Sequence, residues 1–563
     1  MLMALVFCAL SASHPPDQEA VLASWAFTNG LQGWTPGPTA RVKVSKGAIQ
    51  IQTDGRDPIL VGPPVSFVPK DGDILEVTMN ASRDGDVQWF YRTTTEGAYG
   101  GFMPNEQRLV RVSGSRVMRT YRASVLWGGS KPIIGLRFDL PEGAPGTYRV
   151  ERIRVIRPPA SALPAQPWRT EQRLPLSAKR IDVATDAPPE TKPVPSDYTV
   201  AMWYFAAWEP EYTWDGWKQV AERSPWRIPL LYDSSDPEME FNGIRFYRSS
   251  KPRVLDWHVH WLREHAVNLM IWDWYPQVDG GGKFDPTFFG NRALEIGFLG
   301  KEKLGGPPVA TNRFADTMPF AVMWTNHPPG NRLAPGLGEY IVDQFFSQPN
   351  YYRIDGKPLL AIWNPNDLVQ AAGGAPQAKQ VIEHVRRYAH DKGHPGVYVA
   401  AVNLLETRKQ AEELGFDGAM AYNYLLTGGY RSEPRRIPGG VTQDMIEDFA
   451  KEALPGQRKT WERMAKEFGR DHLLATTPMQ NMEPTLRSGS PMMVGHNPDL
   501  YREMLRQAKD VIARNGLRTF VSIEAFNEWL EGSYVEPSTQ WGFSYLEAIR
   551  DEMGRKTDGG PLK

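Results

Sequence analysis

Residues 519–532 read TFVSIEAFNEWLEG, a near-continuous apolar run that breaks into Asn527, Glu528, Trp529 and Glu531. Seven earlier runs share its texture: YTVAMWYF (198–205), VNLMIWDW (267–274), MPFAVMWT (318–325), KPLLAIW (357–363), GVYVAAV (396–402), FDGAMAY (416–422) and HLLATTP (472–478). Runs of this kind lack the polar–apolar alternation of a half-wet sheet, so they read as parallel strands buried on both faces. The segments between them supply covering helices, among them VLDWHVHWLREHA (254–266) and QAKQVIEHVRRYAHDKG (377–393). Eight such units within residues 198–555 point to an α/β fold, a (β/α)8 barrel with enlarged loops. A doubly wound open sheet gives a similar local pattern; the strand count favours the barrel.

Upstream, over residues 19–157, the period changes to two. RVKVSKGAIQIQT (41–53), DILEVTMNAS (73–82), DVQWFYRTT (86–94), RTYRASV (119–125), PIIGLRFDL (132–140) and TYRVERIRVI (147–156) are separated by Gly, Asp and Pro. This pattern predicts an antiparallel β-sandwich. WAFTNGLQGWTP (25–36) and GLRFDLPEGAPGTYRVERIRVI (135–156) resemble the first and last strands of galactose-binding-like jelly rolls, a group that contains many carbohydrate-binding modules. Trp34, Trp89 and Tyr91 then have two readings, sugar-stacking platforms or sandwich core. Residues 158–197 are Pro-rich and aperiodic, as a stiff linker between domains would be. Residues 1–18 open with MLMALVFCALSAS, an apolar stretch ending in small residues that reads as a signal peptide lacking a basic n-region. A secreted or periplasmic protein is expected. Cys8, the only cysteine, lies in that leader, which excludes disulfides and thiolate chemistry from the mature chain.

The 563 residues hold 64 Lys+Arg against 65 Asp+Glu, a net charge of −1 that offers no field to attract nucleic acid. No apolar run approaches the roughly 20 residues of a membrane span, so stable membrane insertion is not expected. Neither a Walker loop nor a dinucleotide fingerprint occurs, and GGYRSEPRRIPGG (428–440) reads as a loop, so no cofactor is expected. The two histidines of HVH (258–260) point apart on a helix and have no third ligand at a usable spacing, so no metal is expected. Asp233 and Asp236 in YDSSDPE (232–238) are explained by a helix N-cap at Ser235 or Asp236, with Pro237 at the first position. The oligomeric state is left open.

In such a barrel the working face lies at the C-terminal ends of the strands. Residues there are Tyr204, Trp208, Asp273, Trp274, Trp324, Asn326, Trp363, Asn364, Asn403, Tyr422, Tyr424, Gln480, Glu483, Asn527, Glu528 and Glu531. Aromatic, amide and carboxyl groups together suit a polyhydroxylated ligand, whose C–H faces stack on rings while its hydroxyls need convergent polar partners. Trp529 flanks the acid pair, and Arg487 beside Glu483 either meets an anionic sugar or pairs with that glutamate. Breaking a glycosidic bond takes one carboxyl group to protonate the leaving oxygen and a second as nucleophile or base. On a helical turn Glu528 and Glu531 would sit roughly 5–6 Å apart, near the ~5–5.5 Å of retaining enzymes. A helix N-terminus also attracts acidic residues; the position after an eighth strand favours catalysis. Glu536, five residues on, reads as a structural or rim contact.

FNEWLEGSYVEP (526–537) resembles the Asn-Glu-Trp-x-Glu-Gly motif of glycoside hydrolase family 99 and of the related WbsX-like polysaccharide proteins. LLYDSSDPEMEF (230–241), VLDWHVHWLREHAVNLMIWDWY (254–275), YYRIDGKPLLAIW (351–363) and TPMQNMEPTLR (477–487) resemble further segments of that family. The resemblance spans residues 198–550. It implies a (β/α)8 endo-acting, retaining glycosidase without a metal, acting on a polysaccharide or oligosaccharide. By the same resemblance Glu528 is the base toward the sugar 2-hydroxyl, which closes to a 1,2-anhydro intermediate, and Glu531 is the general acid and then base. Tyr424 falls near a family tyrosine lining the cleaved subsite. Two roles for like groups require different pKa values, so Glu531 is expected in the less solvated environment. The segments 279–306 and 482–489 depart from the mannan-active pattern, so mannose is not the expected sugar. A transferase of surface-polysaccharide assembly and a non-catalytic glycan-binding protein are the alternatives.

Overall fold

The computed structural model describes residues 19–555 apart from 71–72, 97, 103–106, 113, 126, 128–130, 142–143, 159–178, 213–215, 225–226, 280–281, 327–332, 404, 424–435, 438–440, 443–445 and 482–491. The chain forms two compact units. One comprises residues 1–170 with 433–446 and 486–490, and the other holds the rest.

All eight apolar runs of the second unit form strands: β1 (Thr199–Tyr204), β2 (Leu269–Trp274), β3 (Phe320–Trp324), β4 (Lys357–Ile362), β5 (Tyr398–Ala401), β6 (Gly418–Ala419), β7 (Leu474–Thr476) and β8 (Phe520–Ile523). Each pairs in parallel with the next from β1 to β6, and β8 pairs in parallel with both β7 and β1. The ring closes between β6 and β7, where Ala419 bridges His472 in parallel and the Leu473 N–H donates to the Ala419 carbonyl at 2.9 Å. That closure makes the sheet a (β/α)8 barrel rather than an open doubly wound sheet. The strands read as unbroken apolar runs because nearly every residue in them is buried.

The helix Pro252–Glu264 starts with proline in its first turn, where no intrahelical donor is lost, and buries Val254, Leu255, Trp257, Val259, Trp261 and Leu262. Its two histidines part company as their spacing predicts. His258 meets Tyr204 and Glu536, whereas the His260 Nδ1 lies 3.0 Å from the Thr191 hydroxyl. Asp236 precedes the short helical turn Pro237–Met239, with Pro237 at its first position, yet its carboxylate does not cap it. It pairs with Arg248 at 2.9 Å, while Asp233 accepts from Ser235 and Lys251.

The first unit is an antiparallel sandwich. One sheet is built on Asp73–Ala81, Ser115–Val125 and Gly146–Arg157; the other holds Ile59–Val61, Gly85–Arg92 and Gly135–Asp139. Val441–Thr442 adds a parallel strand beside Ser115–Val125, and Arg436–Ile437 pairs with it, so part of the expected 428–440 loop is strand. Trp34, Trp89 and Tyr91 are core residues at 2 %, 0 % and 1 % exposure, packed on Trp25, Phe138 and Trp127. Rings without an open face cannot serve as sugar platforms.

Candidate active site

Beyond β8 the chain makes a tight hairpin rather than a helical turn. Asn527–Glu528 pairs antiparallel with Ser533–Tyr534, and Glu531 lies in the turn between them. A helix dipole therefore accounts for neither glutamate. Gly532 permits the turn: its φ is +59°, and a Cβ there would collide with the Asn481 backbone carbonyl. The Asn481 N–H in turn donates to the Glu531 carbonyl at 2.9 Å, tying the turn to the segment after β7. On the other side, Asn527 accepts from the Phe205 N–H and donates to the Phe205 carbonyl, both at 2.9 Å. The hairpin is thus clamped to the end of β1.

Glu536 supports it from behind. Its carboxylate accepts from the Tyr247 hydroxyl (2.8 Å) and the Trp529 indole (2.7 Å), and lies 3.2 Å from His258 Nε2. Three such partners explain a fully buried carboxyl as structural. The Tyr204 hydroxyl lies 2.9 Å from the other His258 nitrogen.

The hairpin presents Glu528 to two neighbours at once. The Tyr422 hydroxyl lies 2.9 Å from Glu528 Oε1 and 3.0 Å from Asp273 Oδ2. Burial pushes the Glu528 pKa well above the ordinary carboxylate range, the charges of Glu531 and Asp273 add to this, and the Tyr422 hydrogen bond opposes it. Burial likewise pushes Asp273 up; the Tyr422 hydrogen bond lowers it and the Glu531 charge raises it. Glu531 is the more open of the pair, half-buried, with its Oε2 accepting from the Gln480 amide at 3.2 Å. The expectation that Glu531 occupies the less solvated position is therefore reversed, because the hairpin strand runs inward while the turn stays at the surface.

A further carboxyl belongs to this cluster. Glu524, directly after β8, is fully buried, and neither of its carboxyl oxygens has a hydrogen-bond partner among the described residues. The Ser533 hydroxyl donates instead to the Glu524 backbone carbonyl. Burial, then the Glu531 charge, raise its pKa well above the usual value, while the nearby Ser533 and Thr477 hydroxyls oppose the rise. The signal was present in TFVSIEAF: it is the one charged residue of that run and stands at its C-terminal end.

Several expected ligand contacts are corrected to supports. Tyr204, Trp208, Trp274, Trp324, Asn326 and Trp529 are at most 1 % exposed. The Trp208 indole donates to the Asn527 carbonyl (2.9 Å) with its ring stacked on Trp217 at 3.9 Å. Trp274 donates to Glu295, Asn326 exchanges two 2.8 Å hydrogen bonds with the Asn364 backbone, and the Trp529 ring stacks on Tyr534 at 4.0 Å. Asp273, Tyr422, Asn527, Glu528 and Glu531 are brought together. Tyr424, Glu483 and Arg487 lie outside the described residues. Among the described residues no His, Cys, Asp and Glu group is arranged to hold a metal, and no helix is long and apolar enough to cross a membrane.

The chain is therefore a (β/α)8 protein with an N-terminal β-sandwich and a carboxyl cluster at the C-terminal ends of its barrel strands. In sequence, the family model described as glycosyltransferase WbsX matches residues 338–549. Two curated relatives, both named uncharacterized protein WxcX, from two strains of Xanthomonas campestris pv. campestris, are 24 % and 23 % identical over 412 and 411 residues. In each case 66 % of this chain is aligned, and the chain spans about half the length of these relatives, 52 %. Among solved structures, a glycoside hydrolase-like protein aligns over 66 % of this chain and 98 % of its own, with a TM-score of 0.41 and 15 % identity. The GH99 endo-alpha-mannosidase from Bacteroides thetaiotaomicron aligns over 63 % and 96 %, with a TM-score of 0.38 and 16 % identity. A family 29 carbohydrate-binding module, CBM29-2, aligns over 24 % of this chain and 91 % of its own, at a TM-score of 0.19 and 16 % identity.

Proposed function

We propose that this protein is an endo-acting, retaining glycoside hydrolase that cleaves a polysaccharide. The observation that carries the reading is the hairpin after β8, which sets one buried and one half-open carboxyl side by side on the catalytic face of the barrel. In the first step Glu528 takes the proton of the sugar 2-hydroxyl, O2 closes on the anomeric carbon, and Glu531 gives its proton to the leaving oxygen as the glycosidic bond breaks. In the second step water attacks the anomeric carbon and yields its proton to Glu531. The bond between O2 and the anomeric carbon opens, and Glu528 returns its proton to O2. Glu531, the more open group, suits the residue that must meet both the leaving oxygen and the incoming water. The apolar leader at residues 1–18 supports export, to where such a polysaccharide would be met.

Incubation with a panel of polysaccharides should release short oligosaccharides whose first-formed anomer has the substrate configuration, and Glu531→Gln should abolish release. Undiminished activity in that variant removes the assignment. The description of the matched family model favours a second reading, a transferase of surface-polysaccharide assembly. Turnover of a nucleotide-sugar donor by the purified chain, with no glycan cleaved, would reverse the order.

A further inference from the structure

Asp273, Tyr422 and Glu528 form a chain in which proton counting decides the charge state. The Tyr422 hydroxyl lies within 3.0 Å of a carboxyl oxygen on each side, yet it carries a single hydrogen. Both contacts are hydrogen bonds only if one carboxyl group is itself protonated and donates to the phenol oxygen, which then donates to the other. Two arrangements satisfy this. Either Asp273 is the acid and Glu528 the carboxylate, or the reverse.

The surroundings separate them. Asp273 is 2 % exposed, and its second oxygen, Oδ1, is buried without a hydrogen-bond partner. A neutral carbonyl oxygen tolerates that position far better than half of a carboxylate does. Glu528 is 8 % exposed, and its Oε2 is not among the buried atoms that lack partners. Among the described residues, the titratable groups facing this chain are Glu531 and Glu524 on the hairpin side and Tyr275 after β2, and none of these is a cation that would hold a charge on Asp273.

We propose that Asp273 is a positioning residue that holds a proton for Glu528 through the Tyr422 hydroxyl, so that the one negative charge shared by the two carboxyl groups rests on Glu528. This rests on the reading of Glu528 as the base toward the sugar 2-hydroxyl. Glu528 Oε1 stays occupied by the Tyr422 hydrogen, and Oε2 receives the substrate proton in the first step and returns it in the second. Asp273 keeps its own proton throughout. Asp273 thus makes Glu528 an anion before the sugar arrives, in a site whose burial would otherwise keep it neutral.

The test is the pH profile of kcat/KM. Asp273→Asn imitates the neutral acid, so its acid limb should stay within about half a pH unit of the wild type. Tyr422→Phe removes the hydrogen bond to the carboxylate and should move that limb up by roughly one to two units. A limb that moves down by a unit or more in Asp273→Asn shows that Asp273 is the anion and overturns the proposal. So does an unmoved limb in Tyr422→Phe. A second measurement needs no turnover: carboxyl resonances of the wild-type chain made with isotope-labelled aspartate. One aspartate should remain protonated at neutral pH, and Asp273→Asn should assign it; no protonated aspartate refutes the proposal. If the wild type cleaves no glycan, the hydrolase reading fails, and the resonances still decide where the proton sits.

Discussion

Replacing Asn527 by alanine tests whether the acid pair is placed by its clamp to β1. The Asn527 side chain is fully buried, and its two 2.9 Å hydrogen bonds go to the N–H and the carbonyl of Phe205. Alanine leaves both backbone groups buried without partners. At about 1–3 kcal/mol for each unsatisfied group, the loss is roughly 2–6 kcal/mol. Unfolding entropy is about 2.1 cal/mol/K per residue, so for a unit of roughly 370 residues the melting temperature should fall by about 3–8 °C. Differential scanning calorimetry of the barrel transition measures this. Asn527→Asp keeps the acceptor for the N–H but sets a carboxylate oxygen against the Phe205 carbonyl, so it should cost at least as much. Because Glu528 is the next residue, kcat/KM should fall in both variants by more than the unfolded fraction explains. A melting temperature within about 1 °C of the wild type in Asn527→Ala would refute the clamp.

Three further outcomes are expected. Gly532→Ala forces a side chain onto a left-handed φ and into the Asn481 carbonyl, so cleavage should drop at least about tenfold through displacement of Glu531, with circular dichroism unchanged; full activity would show that the turn adapts freely. Glu524 has its pKa raised in the folded state, so the native chain holds a proton there that the unfolded chain releases above the ordinary value of 4.5. Stability should therefore fall as pH rises from that value, and Glu524→Gln should flatten the fall in thermal melts taken across that range; an equal slope in the variant refutes the assignment. Trp34→Ala should cost the sandwich about 3–5 kcal/mol in chemical denaturation. Lost glycan affinity at unchanged stability would instead restore a platform role for Trp34.

The barrel was legible in the sequence because a strand buried on both faces leaves an apolar run, and all eight runs survive as strands with trimmed ends. Glu528 and Glu531 were legible through their place after the eighth run. Their local geometry was not, since Glu-x-x-Glu fits a helical turn and a hairpin turn equally well. What distinguishes them is Gly532, whose left-handed φ becomes diagnostic only once the Asn481 carbonyl is seen against it. The same limit explains the aromatic residues. Trp208, Trp274 and Trp529 stand where a ligand would be met, but each indole N–H is taken by a protein acceptor distant in sequence or fixed by the hairpin. Trp89 and Tyr91 failed as platforms for a related reason: strand alternation gives the period of a face, not which face is inward.

The carboxyl cluster is the part of this fold that packing does not require. β2 and β8 are joined to their neighbours by backbone pairing, which makes no demand on the side chains of Asp273 or Glu524. Both groups are buried, both are pushed toward the neutral form, and three of their four oxygens lack a hydrogen-bond partner among the described residues. Apolar residues of similar size would stabilise those positions. Glu536 is different, since its three partners make it a strut for the hairpin. Structural need thus accounts for one buried acid and leaves Asp273, Glu524 and Glu528 unexplained as packing. Under the proposed function, proton storage beside the sugar 2-hydroxyl would explain Asp273 and Glu528 together: two acids joined through the Tyr422 hydroxyl and shielded by burial can concentrate a single charge on Glu528.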